Sequence, residues 1–183
     1  MTEKEQDEHS YAIEAVAFGL TDGIICFLGI IIGLARVASN PTLVIIGGIV
    51  GGIANAFGNS VGFYFSQAAE RNVQIHETQE HGKTTRIHSS KEVLRSGVFT
   101  FLATIIVLFT MLFPFALLDI WNAMILALMF GSILAFALGS YAGKLGEENP
   151  YKSGLKYACI TVAAAMVSYA ITELLRTYLL FPV

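Results

Sequence analysis

Charge is scarce in this chain. Asp, Glu, Lys and Arg make up 14% of its 183 residues, where soluble domains carry about a quarter. With 55% hydrophobic residues and a mean hydropathy of +0.64, that shortage excludes an ordinary soluble globular protein, and lipid is the expected solvent for most of the chain. Cysteine is scarcer still. Cys26 and Cys159 are the two in the chain and both lie in apolar runs, which excludes a disulfide framework and reads as buried thiols. The acidic start, with Glu3, Glu5, Asp7 and Glu8, lacks the basic segment and small-residue cleavage site of a signal peptide, so it is expected to remain on the mature protein. HExxH, Walker A and zinc-finger patterns are missing, as is any recognisable pairing of nucleophile and base. An enzyme is therefore not expected, nor a nucleic-acid partner or a prosthetic group. No internal repeat supports an inverted-repeat transporter.

What is present is five apolar runs, each long enough to span a bilayer: Ala15–Ala35, Thr42–Phe65, Val98–Leu118, Asn122–Gly143 and Leu155–Leu179. Asn40-Pro41, the charged run Glu70–Arg95, Asp119 and Gly146–Pro150 punctuate them. The expected fold is all-α, a single polytopic bundle of five transmembrane helices over residues 1–183, with a short loop at 70–95. Arg71, Lys83, Arg86, Lys91 and Arg95 fall in one inter-span segment and Lys144, Lys152 and Lys156 in another, on the side of Lys4; Arg36 and Arg176 fall opposite. The positive-inside rule then places the N-terminus in the cytoplasm and the C-terminus on the other side of a cell or organelle membrane. Glycines recur at four-residue spacing, as at Gly19/Gly23, Gly48/Gly52 and Gly58/Gly62. That spacing serves close helix packing, and for some of these glycines a dimer interface.

Asp22 is the most informative residue. It interrupts the first span well inside it, where a carboxylate costs about 2.5–3.5 kcal/mol on insertion scales, and intramembrane acids commonly face a cavity or a partner; the alternative is a neutral, hydrogen-bonded packing residue. Glu14, Phe18, Asp22 and Cys26 follow at four-residue spacing, so they line one helical face leading inward from the membrane surface. In the second span Asn55 and Asn59 share a face; such amides either hydrogen-bond between helices or line an ion path. Glu173, three residues before Arg176, reads as an ion-paired interfacial residue. In the 70–95 loop, helical spacing would pair His76 with Glu80 and Glu77 with His81, each a bidentate site for a first-row divalent metal. The alternative is a solvated charged loop.

Phe18-Gly19-Leu20-Thr21-Asp22-Gly23, followed by a glycine-containing apolar helix, resembles the first-span signature of the vacuolar iron transporter family. Gly62-Phe63-Tyr64 with Ser66 and Glu70, Phe113-Pro114-Phe115, and Asn149–Leu155 leading to Ser168-Tyr169 are similar to that family's later spans, in order. The resemblance implies a homodimeric five-helix protein that moves Fe²⁺ or Mn²⁺ out of the cytoplasm in exchange for protons. It also implies that Asp22 is the aspartate of the translocation path. Asn59 stands where better-known members have a functional methionine, Gly51 falls near an acidic position, and the 70–95 loop is shorter than the family's glutamate-rich helical region. On this reading Asp22 holds metal and proton in turn, assisted by Asn59, Asn55 or Cys26. Glu70, His76, Glu77, Glu80 and His81 gather metal at the cytoplasmic mouth, with Glu14 on the inward face. The competing function is a non-transporting scaffold or regulatory subunit whose glycine faces bind another membrane helix.

Overall fold

The computed structural model describes residues 3–81 and 87–180, with side chains over 11–80 and 87–178. All regular structure among the described residues is helical: α1 (Glu3–Val37), α2 (Pro41–His81), α3 (Ser90–Leu117), α4 (Ile120–Leu145) and α5 (Pro150–Leu175), the last running into a π-helical segment, Arg176–Leu180. Each of the five contains a stretch long and apolar enough to cross a bilayer. The chain breaks read as punctuation are helix caps. The Asn40 side chain accepts from Leu43 N at 3.1 Å. Ser89 and Glu92 form a reciprocal capping box at the start of α3. Asn149 accepts from the backbone of Tyr151 and Lys152, with Pro150 in the first turn of α5. Asp119 caps α4 and accepts from Asn122 Nδ2 at 2.6 Å, a bond that holds its carboxyl below the usual carboxylate value.

Two boundaries differ from the sequence expectation. α1 begins at Glu3, well before Ala15, and α2 continues to His81, so residues 70–81 are helix rather than loop. Nothing between Gln67 and His81 breaks a helix, because Gln, Ala and Glu favour it and neither Gly nor Pro occurs there. At 41 residues α2 is about 60 Å long, roughly twice the hydrocarbon thickness, so its C-terminal turns project from the membrane.

α1 packs against all four other helices. Phe27, Leu28, Ile31, Leu108, Met111 and Phe115 fill the centre of the bundle. Leu102, Ile106, Phe109, Ile133, Met166 and Ile171 point outward, as lipid-facing side chains must. α1 and α3 are in backbone contact. The hydroxyls of the buried Thr100 and Thr104 donate to the carbonyls of Ala15 and Gly19 at 3.1 and 3.2 Å. A Cβ on Gly19 would sit 2.5 Å from the Thr100 carbonyl oxygen, an obstacle of rigid backbone. Gly19→Ala is accordingly expected to destabilise the bundle by about 1–3 kcal/mol, the range for overpacking, seen as a lowered Tm in detergent. A melting curve superimposable on wild type would contradict this packing.

At the end of the bundle remote from most of the lysines, Arg36 Nε lies 2.6 Å from Glu173 Oε2, and Arg176 Nη1 lies 3.7 Å from Glu173 Oε1. Arg36 also lies over the Tyr169 ring, 5.6 Å from its centre. The ion pairing expected of Glu173 is present, and it ties the C-terminal turns of α1 and α5 together.

Candidate metal site within the membrane

Asp22 sits near the middle of α1, and the helix α2 brings two amides to it. Asn59 Nδ2 donates to Asp22 Oδ2 at 2.6 Å and Asn55 Nδ2 donates to the same oxygen at 3.2 Å. The approach depends on Gly52, where a Cβ would stand 2.7 Å from the Phe27 ring of α1. All three polar residues are half-buried. Cys26, one turn further along α1, places its thiol near enough to Asp22 for the two groups to interact electrostatically. A carboxylate oxygen, two amides and a thiol within one turn of each other make a small set of oxygen and sulfur donors. Amide oxygens and carboxylates suit Mn²⁺, and a thiol moves preference toward Fe²⁺ and later metals. One turn from Asp22 toward the basic end of the bundle, Phe18 packs on Phe63 with ring centres 5.0 Å apart.

The second set of candidates lies elsewhere. Along α2, Asn59 and His76 are 17 residues apart, about 25 Å. His76 and Glu80 pair as the spacing predicts, at 3.5 Å, but with side chains 68% and 59% exposed. Glu77 is half-buried, and the side chain of His81 lies outside the described residues. Glu70 accepts from Gln74 Nε2 at 3.3 Å, and Glu14 interacts electrostatically with Glu70 and His88. Among the described residues, no three His, Cys, Asp or Glu side chains converge as a ready-made metal cluster.

What joins the projecting part of α2 to the bundle is a group that the sequence reading left out. Tyr11 Oη and His88 Nδ1 share a hydrogen bond of 2.6 Å. The His88 backbone N donates to Gln74 Oε1 at 3.0 Å, and Arg71 Nε donates to the His88 carbonyl at 2.8 Å. Gln74 is 9% exposed, unusual for a glutamine on an extramembrane helix and explained by these bonds. Its only sequence signal is an uncharged polar residue inside a charged run.

A family model described as the VIT family matches residues 13–93 and 72–173, which between them span all five helices and include Asp22, Asn55 and Asn59. The chain belongs to the VIT family. VIT family proteins are membrane transporters of metal ions, and with its five spanning helices this one is a multi-pass integral membrane protein. The vacuolar iron transporter resemblance drawn from Phe18–Gly23 and the later motifs is thereby confirmed. An uncharacterized protein of Methanocaldococcus jannaschii is 28% identical over 164 residues, covering 85% of each chain.

Proposed function

We propose that this VIT family member is a homodimeric, proton-coupled transporter that carries Fe²⁺ or Mn²⁺ out of the cytoplasm, with Asp22 as the residue that exchanges metal for proton. The observation that carries the reading is the convergence of Asn55 and Asn59 on one oxygen of an intramembrane carboxylate. In the metal-free state the two amide N–H groups balance the carboxylate. An amide that turns over presents its oxygen instead, so the residues that steady the empty site become ligands of the loaded one. A proton on Asp22 competes with the cation for the same oxygen lone pairs, which couples the two fluxes. The orientation follows from the Lys and Arg distribution.

The dimer reading is supported by α2. Most glycine pairs are absorbed by packing inside one chain, yet a Cβ at Gly58 or Gly62 would meet no atom of the described residues within 4 Å. These two glycines lie beside Asn55 and Asn59, on a helix that also exposes Ile53, Phe57 and Val61. A second copy packed on this small-residue face would shield the polar cluster from lipid.

The direct test is uptake into proteoliposomes across a panel of divalent ions with an imposed pH gradient. Fe²⁺ or Mn²⁺ movement that collapses with the gradient is the expected result; no movement of any divalent ion by folded protein would overturn the reading. The residues on the projecting helix collect metal rather than conduct it. Replacing His76, Glu77, Glu80 and His81 together by Ala should raise the metal concentration for half-maximal uptake several-fold while leaving most of the maximal rate. Complete loss of uptake would contradict that division of labour.

A further inference from the structure

The face of α1 that turns away from Asp22 borders two clefts. One, of about 310 Å³, lies between α1, α4 and α5; Thr21, Ile24, Leu138 and Ile160 form its walls, with Lys156 and Tyr157 also lining it. The other, of about 340 Å³, lies between α1 and α4, from Ala12 to Leu20 with Tyr141 opposite. They meet at Leu138, which lines both. On α1 the combined lining runs from Ala12 to Ile25, about 20 Å of helix, or a little more than one leaflet of hydrocarbon. Ile160 is 48% exposed, so the first cleft opens to the lipid rather than into the bundle.

The walls are apolar and the charge is single. Among the described residues, Lys156 is the one charged residue of the lining, and no Asp or Glu lines either cleft. Lys156 stands six residues into α5, which begins at Pro150, so its Cα lies about 9 Å along the helix. A lysine at that depth lays its aliphatic stem along the cleft wall and lifts its ammonium to the headgroup level. Lys152, four residues earlier and exposed, adds positive charge on the same helical face. Glu147 and Glu148 lie in the preceding turn, outside the cleft.

We propose that this groove binds one anionic phospholipid from the leaflet at the basic end, with an acyl chain along α1 between α4 and α5 and the phosphate on Lys156. A neutral tail alone would fill the apolar walls from any lipid. The lysine at the mouth selects the negatively charged headgroup. The bound chain sits on Thr21, Ile24 and Ile25 and leaves the opposite face of α1, with Asp22 and Cys26, clear for α2.

The test is retention of lipid by the full-length protein taken from an equimolar phosphatidylcholine and phosphatidylglycerol bilayer, read by native mass spectrometry. Wild type should keep phosphatidylglycerol in preference to phosphatidylcholine. Lys156→Gln should lose that preference about five-fold, the size expected for one lysine at an anionic surface. Lys144→Gln, which changes an exposed lysine outside the lining, should behave as wild type. Leu138→Trp, placed where the clefts meet, should reduce retention of both lipids. Unchanged preference in Lys156→Gln overturns the site, and so does an equal loss in Lys144→Gln, which would mean a diffuse surface charge. Because Lys156→Gln alters only an exposed polar end, it decides the matter even if Leu138→Trp fails to fold.

Discussion

Asp22→Asn is expected to leave a folded protein that no longer takes up Fe²⁺ or Mn²⁺ under a pH gradient. The amide matches the carboxylate in shape, and Asn55 and Asn59 can each turn an oxygen toward a new N–H donor, so the hydrogen bonds across α1 and α2 can be rebuilt. Lipid also favours the neutral side chain by the cost of a buried carboxylate, about 2.5–3.5 kcal/mol on insertion scales, so thermal stability should hold or rise. What disappears is the negative charge that attracts a dication, and with it the carboxylate oxygen proposed to exchange metal for proton. Uptake should drop to the level of protein-free liposomes while Tm and the oligomeric state of the wild type are retained. A stable Asp22→Asn protein with wild-type uptake would remove Asp22 from the transport path.

The second large effect falls on Asn59, whose 2.6 Å bond is the shorter of the two to Asp22. Asn59→Leu removes the amide oxygen that would turn to the cation, and a polar contact to a charged group is worth about 1.5–3 kcal/mol. If that energy is lost from the loaded state, initial uptake at low metal concentration should fall by about ten- to a hundred-fold, since 1.4 kcal/mol is a factor of ten. Asn55→Leu, which removes the 3.2 Å bond, should show a smaller loss. Equal uptake by wild type and Asn59→Leu would reduce the Asn59 contact to helix packing.

The membrane fold was legible because its signals are local. A run of apolar residues identifies a span wherever it occurs, and Asn40-Pro41, Asp119 and Asn149-Pro150 act as caps through bonds that reach two or three residues. The site was legible in part. An aspartate inside an apolar helix stands out, and the four-residue spacing of Asn55 and Asn59 shows that they share a face. Their convergence on Asp22 crosses 33 and 37 residues of sequence, and no periodicity encodes it. The same limit hid the group around His88, whose partners Tyr11 and Gln74 lie 77 and 14 residues away. A charged run also misled at residues 70–81. Hydrophobic periodicity fades where a helix leaves the membrane, although its residues remain good helix formers.

The unbroken length of α2 makes it a lever. No proline or internal break interrupts it between Pro41 and His81, so a tilt is shared by every residue along it. Gly52, pressed against Phe27 and Leu108, is a natural fulcrum. From there Asn59 lies about 10 Å along the arm and Gln74 about 33 Å. A rotation of about 10° would move the tip by roughly 6 Å and the Asn59 position by roughly 2 Å, a mechanical ratio of about three fixed by the rise of the helix. Motion at the tip, where Gln74 and Arg71 grip the backbone of His88, is thus geared down to about the size of a broken hydrogen bond at Asp22.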